Sequence, residues 1–375
     1  MLWNWKYKDW PNFIFETDNL VEYEQQFLHK AGAFHGSLKH INNEDQDTLK
    51  VNLISDEAYK TSEIEGEILN RDSLQSSIRK QFGLKTDNRR VPPAEQGISE
   101  MMVDLYKTYQ TPLNHTQLHV WHKMLTYGRR DLIDIGQYRT HEEPMQVVSG
   151  ALHNPTVHYE APPSSVVPKE MENFIAWFNQ NDSSKKNRIG ALTRAAIAHL
   201  YFESIHPFED GNGRIGRAIS EKALSQSLGR PTLIALSSTI ESGKKDYYSA
   251  LQRNSVGLEI NDWLEYFCAM VLQAQDYTQS MIDFLIEKGK FYHRFDDLLN
   301  ERQQKVIERI FREGVNGFKG GLSAENYIRI TGTTASTATR DLQKLVEQGA
   351  LIRTGERKGT RYYLNIDYPS VKKKL

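Results

Sequence analysis

Apolar residues recur at spacings of three and four along most of this chain, the pattern of helices that bury one face. From Asp18, the positions Leu20, Tyr23, Phe27 and Ala31 form such a stripe. The same period predicts helices over residues 44–69, 72–83, 94–109, 115–127, 167–180, 187–204, 213–228, 243–254 and 260–290, with Asn70 or Asp72 placed to cap the second of these. Residues 86–93 (TDNRRVPP) are polar and end in two prolines, which reads as a loop. Between 128 and 166 the helical period gives way to glycines, prolines and the short β-prone runs MQVV and TVHY. That composition predicts a hairpin within roughly 144–163, its second strand stopped by Pro162 and Pro163. The body therefore reads as mainly α with one β-hairpin, without internal repeats or low-complexity segments.

The pattern changes from Asn300. NERQQKVIERIFREG is an amphipathic helix with Val306, Ile307 and Ile310 on one face. LSAENYIRITG reads as a short helix and turn. A second helix over 334–347 follows, with apolar Leu342, Leu345 and Val346, and then strand, basic turn and strand over 350–365. Helix, helix-turn-helix and β-wing in this order resemble a winged helix-turn-helix domain. Its recognition helix would present Thr334, Ser336, Thr337 and Arg340, and its wing Arg353, Arg357, Lys358 and Arg361. Residues 301–375 hold 15 Lys and Arg against 8 Asp and Glu, whereas the whole chain has a formal charge of −1. A basic module on an acidic body points to a polyanion such as DNA as its partner; winged helices also contact proteins, and that alternative stays open.

At 375 residues, two or three units are expected. The longest apolar stretch, Trp263 to Leu272, contains Glu265 and is shorter than the ~18–20 residues that cross a bilayer. The opening residues MLWNWKYKDW lack an apolar core of signal-peptide type. A single cysteine, Cys268, allows neither an internal disulfide nor a cysteine-rich zinc site. A cytoplasmic protein without a membrane segment is the expectation. The aromatics Trp3, Trp5, Tyr7, Trp10, Phe13 and Phe15 read as a packing arm, in preference to a sugar- or peptide-binding platform. His141, His153, His158 and His199 have no metal-type spacing.

The chemistry is concentrated in residues 206–217, HPFEDGNGRIGR. Gly211, Asn212 and Gly213 open an apolar-periodic helix, so that backbone N–H groups and the helix dipole are offered to an anion. Arg214 and Arg217 are three apart on the first turn, and guanidinium forks match phosphate oxygens. Asp210 is a hard oxygen ligand of the kind Mg²⁺ takes beside a polyphosphate. His206 is the one base in the loop that titrates near neutral pH. Together they are equipped for phosphoryl or nucleotidyl transfer from a nucleotide to a hydroxyl.

This string resembles the Fic signature, HxFx(D/E)GNGRxxR, at every specified position. The resemblance implies an all-helical Fic core with a β-hairpin flap, and an ATP- and Mg²⁺-dependent protein adenylyltransferase that moves AMP to a Tyr, Thr or Ser hydroxyl. His206 would be the base, Phe208 a core anchor and Asp210 the Mg²⁺ ligand. Gly211 to Gly213 would form the anion hole, with the Asn212 side chain on a phosphate. Arg214 and Arg217 would hold the outer phosphates, and Ile215 and Gly216 complete the nucleotide-contacting turn. Upstream, TSEIEG at 61–66 resembles the family's inhibitory pattern, with Thr61, Glu65 and Gly66. Glu65 would then pair with Arg217 from a helix at about 55–66 and fill the γ-phosphate space. Val157 and His158 would lie in the flap that pins the target by main-chain pairing, and Tyr247 and Tyr248 would border the adenosine. Expected domains are residues 1–95 with the inhibitory helix, a catalytic domain at 96–292, and the winged helix at 296–368. Expected partners are ATP, a protein target, DNA through the winged helix, and a second copy of the chain, since dimers are frequent among relatives. Removal of AMP by the same site, or a DNA-binding regulator with a nucleotide-sensing body, remains open at this level.

Overall fold

Contacts divide the chain into two compact units in a computed structural model, Met1–His35 with Gln46–Asp276, and Gly36–Asp45 with Tyr277–Leu375. The structure describes residues 2–39, 41, 43–87, 89–151, 154–182, 189–314, 318 and 320–367. His153, and the first two residues of the helix expected from 187, lie outside them.

In chain order the elements up to the hairpin are α1 (Val21–Leu38), α2 (Asn43–Ile64), α3 (Arg71–Gln81), α4 (Pro93–Thr108) and α5 (His115–Leu125). The antiparallel hairpin β1 (Gln146–Ala151) and β2 (Asn154–Glu160) comes next. Then follow α6 (Val167–Gln180), α7 (Ala191–Ile205), α8 (Asn212–Leu228), α9 (Leu236–Ser242), α10 (Lys244–Asn254) and the 35-residue α11 (Asn261–Phe295). Among the described residues no helix is long and apolar enough to cross a membrane.

The first unit is organised around α7. Its sequence ALTRAAIAHLYFESI is apolar on all sides, and Leu192 through Phe202 are buried, as expected of a helix enclosed by others. Alanines at 195, 196 and 198 let neighbours approach closely. On α8, Gly216 meets it so tightly that an added Cβ would lie 2.5 Å from Glu203 Oε1. Gly190 offers α7 no capping side chain. Glu24 on α1 replaces it, accepting from the backbone N–H of Leu192 (3.1 Å) and Thr193 (2.9 Å). A helix cap of this kind contributes about 1 kcal/mol.

Two differences from the sequence pattern have local causes. The helix expected to run to residue 69 stops at Ile64, because Gly66 adopts φ = +86° and the Glu67 N–H folds back to the Ser62 carbonyl (3.0 Å). A short helix, α9, lies where no period was visible, since seven residues hold only two turns. Asn70 does cap α3, accepting from the Ser73 N–H at 2.9 Å.

The second unit contains α12 (Glu301–Arg312), α13 (Ala324–Thr331), α14 (Ala335–Glu347), β3 (Leu351–Thr354) and β4 (Arg361–Leu364), the strands antiparallel. Val306, Ile307, Tyr327, Leu342, Leu345 and Leu351 fill its separate core. Asp341 is buried and answers three donors, Arg302 (2.9 Å), the Tyr327 hydroxyl (3.0 Å) and, through its carbonyl, Gln303 (3.1 Å).

Candidate active site

A cleft of about 650 Å³ in the first unit is bordered by the hairpin, the C-terminal end of α7, the N-terminal end of α8 and α10. His206 caps α7 in a left-handed conformation (φ 49°, ψ 60°), which turns the chain sharply and aims the imidazole into this cleft. Its position is fixed by Arg139, a residue that carried no signal in the sequence. Arg139 is 2% exposed; its Nε donates to the His206 carbonyl (2.8 Å) and its Nη2 to the Pro162 carbonyl (2.5 Å), tying the histidine strap to the foot of the hairpin. Burial, helped by the Arg139 charge, pushes the His206 pKa down to about 4. The ring is therefore neutral near pH 7. Its Nδ1 faces the Glu203 carbonyl at 3.4 Å, which places the proton on Nδ1 and leaves Nε2 as an acceptor.

Phe208 is fully buried and stacks on His122 at 4.3 Å, anchoring the loop as expected. Asn212 behaves differently from the sequence assignment to a phosphate. Its Oδ1 accepts from the Phe208 N–H (2.9 Å) and its Nδ2 donates to the Phe208 carbonyl (2.8 Å), so the amide staples the loop to itself. Ile215 turns its side chain into the core, and its N–H is taken by the Gly211 carbonyl. The loop reaches the cleft through Gly211, Asn212 and Gly213, at the end of a 17-residue helix whose first N–H groups have no intrahelical acceptors. Gly211 sits at φ = +82°, a conformation that favours glycine.

The two arginines are already engaged. Arg217 is 2% exposed; its Nε donates to Thr61 Oγ1 (2.7 Å), and its Nη2 donates to the Thr61 carbonyl (3.0 Å) and to Glu65 Oε1 (2.7 Å). Glu65 also lies over the helix entrance, where a Cβ added to Gly213 would meet its Oε1 at 2.3 Å. Arg214 donates to Glu67 Oε2 at 2.7 Å, a partner that the sequence reading missed although it stands two residues from Glu65. The turn at Gly66 brings one carboxylate to each arginine, Glu65 to Arg217 and Glu67 to Arg214.

Asp210 accepts from Arg129 Nη1 (2.6 Å) and from the Gly211 N–H (2.6 Å). Burial opposes its ionisation, but Arg214, Arg129 and that N–H outweigh it and hold the carboxyl below its usual range. No group of three or more His, Cys, Asp or Glu able to hold a metal exists among the described residues. One ionised carboxylate beside the N-terminal end of α8 nevertheless has the chemistry that suits Mg²⁺, which binds through one or two carboxylates together with substrate phosphates.

Glu203, also missed, lines the cleft one turn before His206, with Oε2 at 3.8 Å from His206 Nδ1 and Oε1 without a hydrogen-bond partner. Burial, reinforced by the Glu65 charge and opposed by Arg217, raises its pKa to about 8. Tyr247 is buried, with its hydroxyl 2.6 Å from His199 Nε2, while Tyr248 is exposed on the cleft side. Burial holds His199 near about 3, consistent with a packed, neutral residue. On the hairpin, His158 lines the cleft with Nε2 2.6 Å from Ser149 Oγ. Val157 is not among the residues lining the cleft.

Residues 112–224 match the Fic/DOC family, and residues 3–84 match a domain of unknown function. The chain is 27% identical over 190 residues to the protein adenylyltransferase fic-1 of Caenorhabditis elegans, covering 50% of this chain and 32% of that protein. It is 33% identical over 81 residues to a probable protein adenylyltransferase of Aquifex aeolicus (strain VF5), covering 22% of each. The chain thus spans a third or less of the length of these curated relatives. A Fic family protein from Desulfovibrio desulfuricans G20 superposes with a TM-score of 0.51 at 20% identity, covering 92% of this chain and 96% of that one. A Fic-domain signaling protein from Bacteroides thetaiotaomicron VPI-5482 gives 0.51 at 19% identity, covering 68% and 96%. These superpositions establish a common fold.

Proposed function

We propose that the Fic domain this chain carries is a protein adenylyltransferase, held inactive by its own α2 and the turn after it. The observation that carries the proposal is the seat of Glu65, whose carboxylate rests against Gly213 and pairs with Arg217 where an anion would bind. A carboxylate at a helix N-terminus beside a buried arginine stands in for a phosphate.

Without Glu65, the triphosphate of ATP lies along Gly211–Gly213 with its outer phosphates on Arg214 and Arg217. A target segment pairs with the hairpin edge and presents a Tyr, Thr or Ser hydroxyl to His206. Nε2 takes the hydroxyl proton, the oxygen attacks the α-phosphorus, and the bond to the bridging oxygen breaks, releasing pyrophosphate. The new imidazolium is held by the Glu203 carbonyl and its neighbouring carboxyl. Asp210 would hold Mg²⁺, which supplies positive charge against the phosphates. Incubating the Glu65→Gly chain with ATP and Mg²⁺ and mapping the products by peptide mass spectrometry tests this. AMP on a hydroxyl side chain is expected; loss of AMP from a pre-labelled target, with no addition, would replace the reading by AMP removal.

The second unit is proposed to contact DNA. Ser336 and Arg340 stand exposed on α14 and Thr334 at its N-cap, and Arg353, Arg357 and Lys358 are exposed on the following hairpin. A gel shift of the full chain, lost on Arg340→Ala with Arg357→Ala, is the expected result. No shift at low salt would leave protein contact as its role.

A further inference from the structure

The arm preceding α1 has no part in the chemistry above, and residues 3–84 match a domain of unknown function. Yet its first turn meets three separate parts of the cleft wall. Asn4 is fully buried, and each of its polar groups is engaged. Its backbone N–H donates to the Ser255 carbonyl (2.8 Å), and its carbonyl accepts from the Tyr7 N–H (3.1 Å). Its Nδ2 donates to Ser204 Oγ (2.7 Å), and its Oδ1 accepts from the Trp5 N–H (2.8 Å). The Tyr159 hydroxyl lies 3.3 Å from that Oδ1 and donates to the Ser204 carbonyl at 2.5 Å. Ser204 precedes His206 by two residues, Tyr159 is at the foot of the hairpin, and Ser255 follows α10; all three line the cleft.

Neighbouring residues reinforce the same junction. Trp3 forms an antiparallel bridge with Val256 and meets the Tyr159 ring edge-on at 5.3 Å. Trp5 Nε1 donates to the Glu160 carbonyl (2.7 Å), and Lys6 pairs with the Glu160 carboxylate (3.0 Å). The hairpin needs such support. Among the described residues it is a two-stranded sheet paired with no further strand, and Val147, Val148 and Val157 on it are exposed. A hairpin of that kind is marginal by itself in water.

We propose that Asn4 is a positioning residue, which fixes the hairpin foot and the 254–256 loop relative to the His206 end of α7. Its effect on rate rests on the transferase reading; its effect on the hairpin does not.

The test uses hydrogen exchange on the full chain carrying Asn4→Ala, with Trp5→Phe as the milder variant that removes the Nε1 bond to Glu160. Trp10→Phe is the control, because Trp10 Nε1 donates to Glu170 Oε2 (2.9 Å) on α6, away from this junction. Amides of 146–151 and 154–160 should exchange about tenfold faster in both variants, while α7 and the Trp10→Phe chain keep their protection. In the Glu65→Gly background, Trp5→Phe should lower self-transfer several-fold with KM for ATP unchanged. Unchanged hairpin exchange in both Asn4→Ala and Trp5→Phe, or faster exchange spread evenly over the first unit, would overturn the proposal. If Glu65→Gly transfers nothing, the transferase reading fails, and the exchange result still decides the role of Asn4.

Discussion

Arg217 and Glu65, 152 positions apart in sequence, meet at 2.7 Å across the entrance of α8. Arg217 is almost wholly buried, and Thr61, one turn earlier on α2, supplies its other two acceptors. A buried guanidinium needs an anion. In the proposed reading a nucleotide phosphate would replace Glu65 when it is absent, so that one carboxylate would both neutralise the arginine and exclude the substrate.

Stability should follow from this pairing. Glu65→Gly should lower stability without nucleotide by about 1–3 kcal/mol, less than a fully enclosed pair would lose because the Glu65 side chain keeps 29% exposure. ATP should then raise the melting temperature of Glu65→Gly more than that of the parent chain, since at one ATP concentration the chain that binds it more tightly is stabilised more. Equal shifts in differential scanning fluorimetry would contradict the pairing.

Glu67 should act as a second, weaker restraint. It holds Arg214 at 2.7 Å but is 39% exposed, so its ion pair is well screened. Glu67→Ala alone should raise AMP transfer at most a few-fold. Added to Glu65→Gly, it should lower KM for ATP with little change in kcat, as expected of an arginine freed for ground-state phosphate binding. Steady-state kinetics of the single and double variants check both statements.

The acid limb of the reaction should be displaced. An ordinary histidine would lose base function as pH falls through ~6.5. With His206 held down at about 4, kcat/KM of Glu65→Gly should stay level from pH 8 to about 5.5. The stability sign is the reverse of a benefit. The unfolded chain binds this proton more readily, so the His206 contribution weakens as pH drops from ~6.5 towards 4. A limb centred on 6.5 would mean that burial does not govern His206.

Arg139 should tolerate no substitute. Lysine cannot reach the His206 carbonyl, Ser164 and the Pro162 carbonyl together. Arg139→Lys in the Glu65→Gly chain should reduce kcat at least about tenfold, because misplacing a base is costly even when the fold survives. Parallel circular dichroism and initial rates separate that loss from unfolding.

Much of this was legible in the chain. The 206–217 string pointed to one wall of the cleft without tertiary information, since its residues are consecutive, and TSEIEG pointed to the carboxylate that pairs with Arg217. What stayed hidden depends on long-range contact. Arg139 and Asn4 occupy unremarkable sequence, and only folding brings them against residues 206 and 204. The Asn212 assignment differed because its amide finds a backbone partner four residues away, which a motif read for ligands does not reveal. Glu67 was within reach: a second acid two positions after Glu65 invites a second arginine.

The most direct measurement is transfer of label from α-labelled ATP with Mg²⁺ by the parent chain, Glu65→Gly, and Glu65→Gly with His206→Ala. Strong labelling by the single variant, little by the parent, and a loss of ~10²–10⁴-fold in the double variant is the result this account predicts. Equal labelling by the parent and Glu65→Gly, or labelling that survives His206→Ala, would contradict it.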